Sequence, residues 1–347
     1  LRYNIASNQY TKFISTFGNI NMYASYLSIS IPVLLAVFAF CKNWFSRILS
    51  GILLIAAGCN ILIANSDSVF LGIFAGVVVV TILAFMQGRL RYSSFAVFLL
   101  FVGNLVLGFI NKYGHTRYDK KRGGLAIALN RLDIAFVLCG AALLVFAVVC
   151  VCNWKLGTRV AAWNKKKIVL IVCGACVALG VIGIIVLAVT GSSLLTFNDK
   201  WGSYRGYIWR KIVEVYGDAP FVNKLFGYGN ESVRVTLKAA CYNEMVQVTG
   251  KVYDNAHNEL LQYLFTTGIV GLLSYLALVG SSIVYMFKHA KEHAWISVCL
   301  AATVGYFAQS ILNLNQPITT PLFFVFMAMG VGTVNYCRRV KELEKRA

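Results

Sequence analysis

One histidine lies at a position in the sequence that favours the neutral form of its ring. His257 directly precedes a long apolar run and is the only histidine in the segment 191–258. The amino-terminal end of a helix carries partial positive charge, which disfavours imidazolium and favours the neutral ring. Only the neutral ring can accept a proton, so the position predicts a general base, with Asn255, Asn258 and Glu259 close by in the chain to orient it. The alternative is a histidine that merely supports a helix end.

A second group of candidate residues lies in SYRGYIWRKIVEVYGDAP, at 203–220. Ser203 can cap a helix, and the isoleucines that follow recur at helical spacing. Gly217 followed by Pro220 predicts where this helix ends. The segment therefore predicts a helix that begins near Ser203 and ends near Gly217.

Two arginines of this predicted helix are candidates for binding an anion. Arg205 lies one turn before Trp209, and Arg210 is turned well away from Arg205 around the helix. A guanidinium held beside a tryptophan at a membrane surface suits a phosphate or pyrophosphate group. The alternative is an amphipathic helix at the bilayer interface whose basic residues contact lipid headgroups.

Two other patterns resemble metal or redox motifs without the context that such motifs need. His289, Glu292 and His293 form H-x-x-E-H, but they occupy a short connection between two apolar runs. CGAC at 173–176 lies inside an apolar segment, where cysteines commonly serve as small packing residues. We therefore predict neither a metal site nor a cofactor.

The composition limits the class of protein in which this chemistry takes place. Of the 347 residues, 59% are hydrophobic and 13% are charged, and 13 acidic and 32 basic residues cannot supply the polar surface of a soluble protein. These numbers exclude a water-soluble enzyme, a disordered chain and a secreted disulfide scaffold. The fold class predicted is an all-α polytopic membrane protein. Its net charge of +19 reflects basic loops, so we predict no nucleic-acid partner.

The apolar runs predict the number of membrane crossings. A spanning helix needs about 20 mainly apolar residues. On that basis we predict about nine transmembrane helices, at 24–40, 48–65, 69–86, 93–111, 134–153, 168–190, 259–287, 295–312 and 321–337.

The basic residues predict the orientation of these helices. With nine alternating spans, four basic connections and the basic tail fall on one side, which the positive-inside rule makes cytoplasmic. One long external loop then separates the sixth span from the seventh, and it carries Arg205, Arg210 and His257. The basic residues that set this orientation are Lys42, Arg47, Arg89, Arg91, Lys155, Arg159, Lys165, Lys166, Lys167, Lys288, Lys291, Arg338, Arg339, Lys341, Lys345 and Arg346.

Three regions follow from this topology. Residues 1–190 hold six membrane helices, 191–258 form an external loop subdomain, and 259–347 hold three further helices and a basic cytoplasmic tail. The external segment 112–133 is basic against the topology rule, which suggests an anionic ligand or lipid headgroup there. The chain begins with Leu1, and its first residues do not resemble a signal peptide. We expect it to be the later part of a longer protein.

Three motifs, taken in order, resemble one family. FGNINMYASYL at 17–27 is similar to the opening motif of the bacterial O-antigen ligase and polymerase superfamily. SYRGYIWR, followed by PFVNKLFGYGNES at 220–232, is similar to the arginine helix and glycine turn of its long loop. AHNELLQYLFTTGIVGLLSYL at 256–276 resembles the family pattern at the end of that loop. The resemblance extends from about residue 15 to the last span.

The resemblance implies a metal-independent membrane glycosyltransferase, either a ligase or a polymerase. Such a protein moves a glycan from undecaprenyl pyrophosphate to a hydroxyl of a glycan or lipid acceptor, at the outer face of the bacterial cytoplasmic membrane. His257 resembles the family histidine that deprotonates the acceptor, and Arg205 resembles the arginine that contacts the pyrophosphate. We predict Arg210, Arg131, Asn258 and Glu259 as further substrate contacts.

The sequence departs from the family at one charged position. Asp67 stands where family members with ligase activity carry an arginine, and a carboxylate cannot bind pyrophosphate. Arg131, at the mouth of the predicted fifth span, can supply the missing charge. The competing prediction is a transporter or flippase of polysaccharide or lipid-linked sugar. Transporters commonly have repeated halves and charged residues within spans, and the sequence shows no convincing internal repeat.

Overall fold

The computed structural model describes residues 17–64, 66–113, 132–161 and 198–346. Across these ranges the chain is helical and contains no β-strand. Eleven helices are described: α1 (Ile20–Phe40), α2 (Trp44–Ala64), α3 (Asp67–Met86), α4 (Leu90–Tyr113), α5 (Leu132–Ala161), α6 (Trp201–Gly217), α7 (Phe221–Phe226), α8 (Ser232–Thr249), α9 (Glu259–His289), α10 (Ala294–Ser310) and α11 (Thr320–Glu344).

Seven of these described helices, α1 to α5, α9 and α11, are long and apolar enough to cross a membrane. The all-α, multi-pass membrane class predicted from composition is thereby confirmed. Helix α10 coincides with the predicted span 295–312 but has only 17 residues. The predicted span 168–190 and most of the basic segment 112–133, with Arg131, lie outside the described residues. The number nine therefore stays a prediction.

Two compact units divide the chain. The first, which we call the membrane unit, comprises Leu1–Val160, Val279–Ser310 and Asn315–Ala347. The second, which we call the loop unit, comprises Ala161–Leu278 and Ile311–Leu314. The loop unit thus includes the first part of α9 together with the segment that the sequence placed outside the membrane.

Helices α1 and α10 form the centre of the membrane unit, because α1 packs against α2, α3, α4 and α10, while α10 also contacts α3 and α11. Small residues permit this close packing. A Cβ atom on Gly72 would lie 2.7 Å from the carbonyl oxygen of Gly305, and one on Gly103 would lie 1.9 Å from that of Ile55. Lipid-embedded helices gain little from hydrophobic attraction to one another, so close approach at small residues is a principal source of their cohesion.

The loop unit has an apolar core of its own between α6, α8 and the start of α9. The helical spacing predicted for the isoleucines of α6 is confirmed, since Ile208 and Ile212 are fully buried there. The buried core residues are Tyr207, Ile208, Ile212, Val233, Leu237, Met245, Tyr253, Ala256 and Phe265.

Ion pairs connect α6 to α8 beside this core. Lys211 is only 8% exposed, and its Nζ lies 2.8 Å from Glu244 and 3.1 Å from Glu214. A lysine in such surroundings must be paired, because an isolated buried charge is costly. The pairing therefore fixes how α6 lies on α8.

A glycine turn after α7 packs against a break in α9. The break is at Gly268, whose φ of 68° and ψ of −174° are not helical. The carbonyl oxygens of Phe265 and Thr266 accept hydrogen bonds from the backbone N–H groups of Tyr228 and Gly229, both at 3.0 Å. The turn thus satisfies backbone acceptors at a point where the helix ladder is interrupted.

Candidate active site

Helix α9 begins immediately after the candidate base. The Oδ1 atom of Asn258 accepts a hydrogen bond from the backbone N–H of Leu261 at 3.0 Å, as a helix cap does. The position predicted for His257, at the start of this helix, is therefore confirmed. Asn258 itself is 9% exposed, and its described contact serves the helix.

The backbone at His257 has a conformation that is unusual for a residue with a side chain. Its φ is 48°, in the left-handed region. The side-chain oxygen of Asn255 accepts the backbone N–H of His257 at 3.1 Å, so Asn255 supports the main chain of the histidine. Backbone conformations of this kind cost on the order of 1–3 kcal/mol and concentrate at functional sites.

Three hydrogen bonds hold the segment before α9 in place. Trp209 Nε1 donates to the carbonyl oxygen of Ala256 at 2.8 Å, and the hydroxyl of Tyr253 donates to the carbonyl oxygen of Ser203 at 2.9 Å. The backbone N–H of Ala256 donates to the Oε1 atom of Gln262 in α9 at 2.9 Å. The arginine helix and the histidine segment are therefore joined at two points.

The chain enters the arginine helix through a left-handed turn. Gly202, Ser203 and Tyr204 have φ values of 57°, 61° and 71°. Ser203 was predicted to cap the helix, and this prediction is wrong, because regular helical geometry begins only after Tyr204. The residue instead supplies the carbonyl that Tyr253 binds. The predicted end is confirmed, since α6 stops at Gly217.

Electrostatics and burial keep the ring of His257 neutral. Burial lowers its pKa most, and the positive charges of Arg205 and Lys251 lower it further, while Asp254 raises it; the resulting pKa is about 4. The neutral ring was predicted from the helix end, but burial and Arg205 are the main causes. The charge of Arg205 therefore acts on the imidazole.

One of the two ring nitrogens of His257 is buried. Within the described part of the chain, Nδ1 is buried without a hydrogen-bond partner. The edge of the ring packs against Tyr253, with the ring centroids 5.8 Å apart. A substrate hydroxyl can therefore reach the histidine only at Nε2. Packing and backbone geometry orient this ring, and no side-chain acceptor among the described residues does so.

Arg210 points into a different environment from Arg205. Its guanidinium makes a bidentate pair with Asp199, with Nε 3.1 Å from Oδ1 and Nη2 2.8 Å from Oδ2. Glu244 is 3.9 Å away. This side chain remains partly exposed to solvent, but carboxylates occupy its donors. Carboxylates therefore pair with Arg210, whereas the charge of Arg205 acts on the ring of His257.

Glu259, in the first turn of α9, is buried. Its Oε1 accepts a hydrogen bond from the hydroxyl of Tyr275 at 3.3 Å, and Tyr275 stacks on Tyr263 with centroids 4.2 Å apart. A carboxylate at this end of a helix also interacts favourably with the helix dipole. The contacts described for Glu259 are therefore within the helix that follows the site.

The H-x-x-E-H residues form an ion-pair cluster in the membrane unit. Nδ1 of His289 lies 2.6 Å from Oε1 of Glu292, whose other oxygen is 2.9 Å from Nζ of Lys341. Nδ1 of His293 accepts the backbone N–H of Trp295. These contacts join the turn before α10 to α11. No group of three or more possible metal ligands occurs within the described ranges.

Comparison with known families supports the resemblance seen in the motifs. Residues 123–276 match the family model described as O-Antigen ligase. This segment is therefore similar to the O-antigen ligase family. The match includes the arginine helix, the glycine turn and the histidine of the loop unit, and it confirms the superfamily predicted from the sequence. No curated protein matches the chain.

Two supporting residues of the matched segment were not predicted from the sequence. Tyr253 and Trp209 bind backbone carbonyls across the site, and Trp209 was considered only as a neighbour of Arg205. Their signal in the sequence is weak, because aromatic residues are common in apolar chains. The spacing of Tyr253 from His257 suggests a shared location but not a hydrogen bond to Ser203.

Proposed function

We infer from the family match and the apolar helices that the chain is a membrane protein of the O-antigen ligase or polymerase type. We propose that it moves a glycan from an undecaprenyl-pyrophosphate-linked donor to a hydroxyl of a glycan or lipid acceptor. The reaction takes place at the outer face of the bacterial cytoplasmic membrane and uses side chains in place of a metal. Two observations support this most: two hydrogen bonds join the arginine helix to the histidine segment, and the charge of Arg205 lowers the pKa of His257.

In the proposed reaction, Nε2 of His257 takes the proton of the acceptor hydroxyl. The acceptor oxygen forms a bond to the anomeric carbon of the donor, and the bond from that carbon to the pyrophosphate oxygen breaks. The pyrophosphate leaves with the electron pair and remains on the polyprenyl lipid. Arg205 contacts this leaving group, where a fixed positive charge stabilises the developing negative charge.

The proposed donor also adjusts the basicity of the histidine. A pKa of about 4 makes His257 neutral but a weak base. Part of this low value comes from Arg205, whose charge opposes protonation of the ring. A bound pyrophosphate would offset that charge, so donor binding raises the pKa of His257 toward the working pH. The base thus becomes effective when the donor is in place.

The other predicted contacts have smaller parts in this proposal. Arg210 would have to exchange Asp199 for a phosphate oxygen. Asn258 and Glu259 act mainly by fixing the start of α9. Arg131 supplies charge in place of the arginine that Asp67 replaces.

A reconstituted reaction tests the function. The purified protein in nanodiscs is supplied with an undecaprenyl-pyrophosphate-linked glycan and an acceptor glycan or lipid. We expect a longer product on gels and release of undecaprenyl pyrophosphate, both lost in the Arg205→Ala, His257→Ala double variant. Transport of the intact donor across a vesicle membrane, without new glycosidic bonds, would support the flippase and contradict the proposal.

A further inference from the structure

Helix α7 exposes a concentrated apolar surface in the loop unit. Phe221, Val222 and Phe226 are 74%, 65% and 62% exposed, although they belong to a helix of only six residues. We call these three residues the α7 apolar surface. Exposed apolar groups at this density usually mark a site that contacts another apolar phase or a partner.

The backbone of α7 and the turn after it lie directly against α9. A Cβ atom on Gly227 would be 2.3 Å from the carbonyl of Thr266, and one on Gly268 would be 2.2 Å from the carbonyl oxygen of Leu225. Together with the two hydrogen bonds of the glycine turn, these contacts place α7 beside the break in α9. The depth of this break in the bilayer is therefore also the depth of α7.

The length of α9 sets that depth. From Gly268 to the end of the helix at His289 is a rise of about 32 Å at 1.5 Å per residue, close to the roughly 30 Å of a bilayer's hydrocarbon core. If the segment after Gly268 spans the hydrocarbon, the break lies at the boundary between acyl chains and headgroups. Helix α7 then lies at that boundary as well.

We propose that α7 is an interfacial membrane anchor whose apolar surface inserts among phospholipid acyl chains next to the headgroups. Phenylalanine and valine suit this environment, and the half-buried Lys224 in the same helix can direct its ammonium to the phosphates. The occupant is the bilayer itself, because α7 is attached to a spanning helix at the height where lipid begins. This inference does not depend on the proposed transfer reaction.

The anchor also has a consequence for the candidate active site. The hydroxyl of Tyr216, near the end of α6, donates to the carbonyl oxygen of Lys224 in α7. The arginine helix is thereby attached to an element at the membrane surface. A lipid-linked substrate presents its pyrophosphate at that same surface.

Photo-crosslinking in the full-length protein tests the anchor. A benzophenone amino acid replaces Phe226 in protein reconstituted into phosphatidylethanolamine and phosphatidylglycerol vesicles, and adducts are identified by mass spectrometry after irradiation. The matched control position is Val213, which is apolar and 55% exposed. It lies on α6 one turn after Arg210, on a face that carries water-exposed ion pairs.

We expect phospholipid adducts at position 226 and several-fold fewer at position 213. Equal lipid labelling at the two positions would overturn the proposal. Adducts at 226 only with protein would also overturn it and would indicate a protein partner or a second copy. If the variant at 226 does not fold, as judged by gel filtration, the same probe at Phe221 decides by the same comparison.

Discussion

At the scale of single residues, the candidate site combines a histidine with an arginine whose charge lowers the pKa of that histidine. His257 has a strained backbone, a buried Nδ1 and a pKa of about 4, and Arg205 contributes to that pKa. Burial of the ring and the charge of Arg205 disfavour the imidazolium ion in the absence of substrate. Proton transfer to His257 is therefore expected to depend on the anionic donor. Variants of His257 and Arg205 should reveal this dependence.

Replacing His257 with alanine should abolish transfer. The loss expected for a general base is about 10²–10⁴-fold in kcat, with thermal stability and donor binding nearly unchanged. The assay is glycan transfer per folded molecule of purified protein. If turnover is normal and only the yield or the melting temperature falls, the histidine has a structural role.

The pH dependence should differ between the two kinetic parameters. Because kcat/KM reports the free enzyme, it should fall only as pH drops toward about 4, the pKa of the histidine in the substrate-free protein. The value of kcat reports the complex, in which bound pyrophosphate raises this pKa, so kcat should begin to fall at a higher pH. Identical acid limbs in the two profiles would contradict the coupling between donor and base.

Arg205 and Arg210 should respond differently to substitution. Arg205→Lys should impair transfer and weaken donor binding, since an ammonium group cannot reproduce a planar bidentate contact. Arg210→Lys serves as the matched control and should mainly loosen the pair with Asp199, with a smaller effect on activity. The measurement is KM for the donor. Full activity of Arg205→Ala at normal expression would remove this residue from the mechanism.

At the scale of secondary structure elements, hydrogen bonds to the backbone bring the arginine helix and the histidine segment together. Trp209 reaches from α6 to Ala256, and Tyr253 reaches back to the left-handed turn before Arg205. Both donors come from aromatic side chains that also contribute apolar contact area. The relative position of Arg205 and His257 therefore depends on residues that need not touch substrate.

Tyr253→Phe removes one of these bonds while keeping the ring beside His257. A net hydrogen bond of about 1 kcal/mol corresponds to a roughly fivefold effect, which we expect in kcat/KM. A positioning role also predicts a changed acid limb of the pH profile, because Arg205 would shift relative to the imidazole. An unchanged profile accompanied only by a lower melting temperature would limit Tyr253 to packing.

The glycine turn should tolerate no added side chain where it meets α9. Gly227→Ala combines a φ of +77° with a Cβ atom 2.3 Å from the backbone of Thr266, and we expect destabilisation of about 3 kcal/mol or more. Gly250 is the control, with a φ of +72° and open space around it. Gly250→Ala should cost only about 1 kcal/mol. Thermal unfolding in detergent compares the two, and equal losses would contradict the close contact.

At the scale of the whole molecule, the distribution of basic residues remains the basis for the predicted orientation. The described helices supply seven candidate spans, and the tail after α11 carries basic residues. The positive-inside rule places that tail in the cytoplasm and the loop unit outside. An external loop unit would give its active site access to donors presented on the outer face.

Labelling of single cysteines tests this orientation. In a background with the natural cysteines replaced, Val235→Cys in the loop unit and Lys345→Cys in the tail occupy exposed positions. An impermeant maleimide should label the first in intact cells and the second only after lysis. The opposite pattern would invert the topology.

The sequence by itself determined the class, the helices and the position of the candidate base. Composition and apolar runs depend on local residue content, so eight of the nine predicted spans coincide with described helices, and His257 lies where α9 begins. The arginine helix and its end were predicted for the same reason, since helical periodicity and the glycine stop are local signals.

Tertiary structure decided which of the candidate residues meet. The sequence presented Arg205 and Arg210 as two cations on one helix, and only the packing of α6 against α8 directed Arg210 to Asp199. The left-handed turn at Ser203 and the bond from Tyr253 depend on segments fifty residues apart. The low pKa of His257 likewise comes chiefly from burial. Such long-range contacts form only when the chain folds, because their partners are set by packing and not by neighbouring residues.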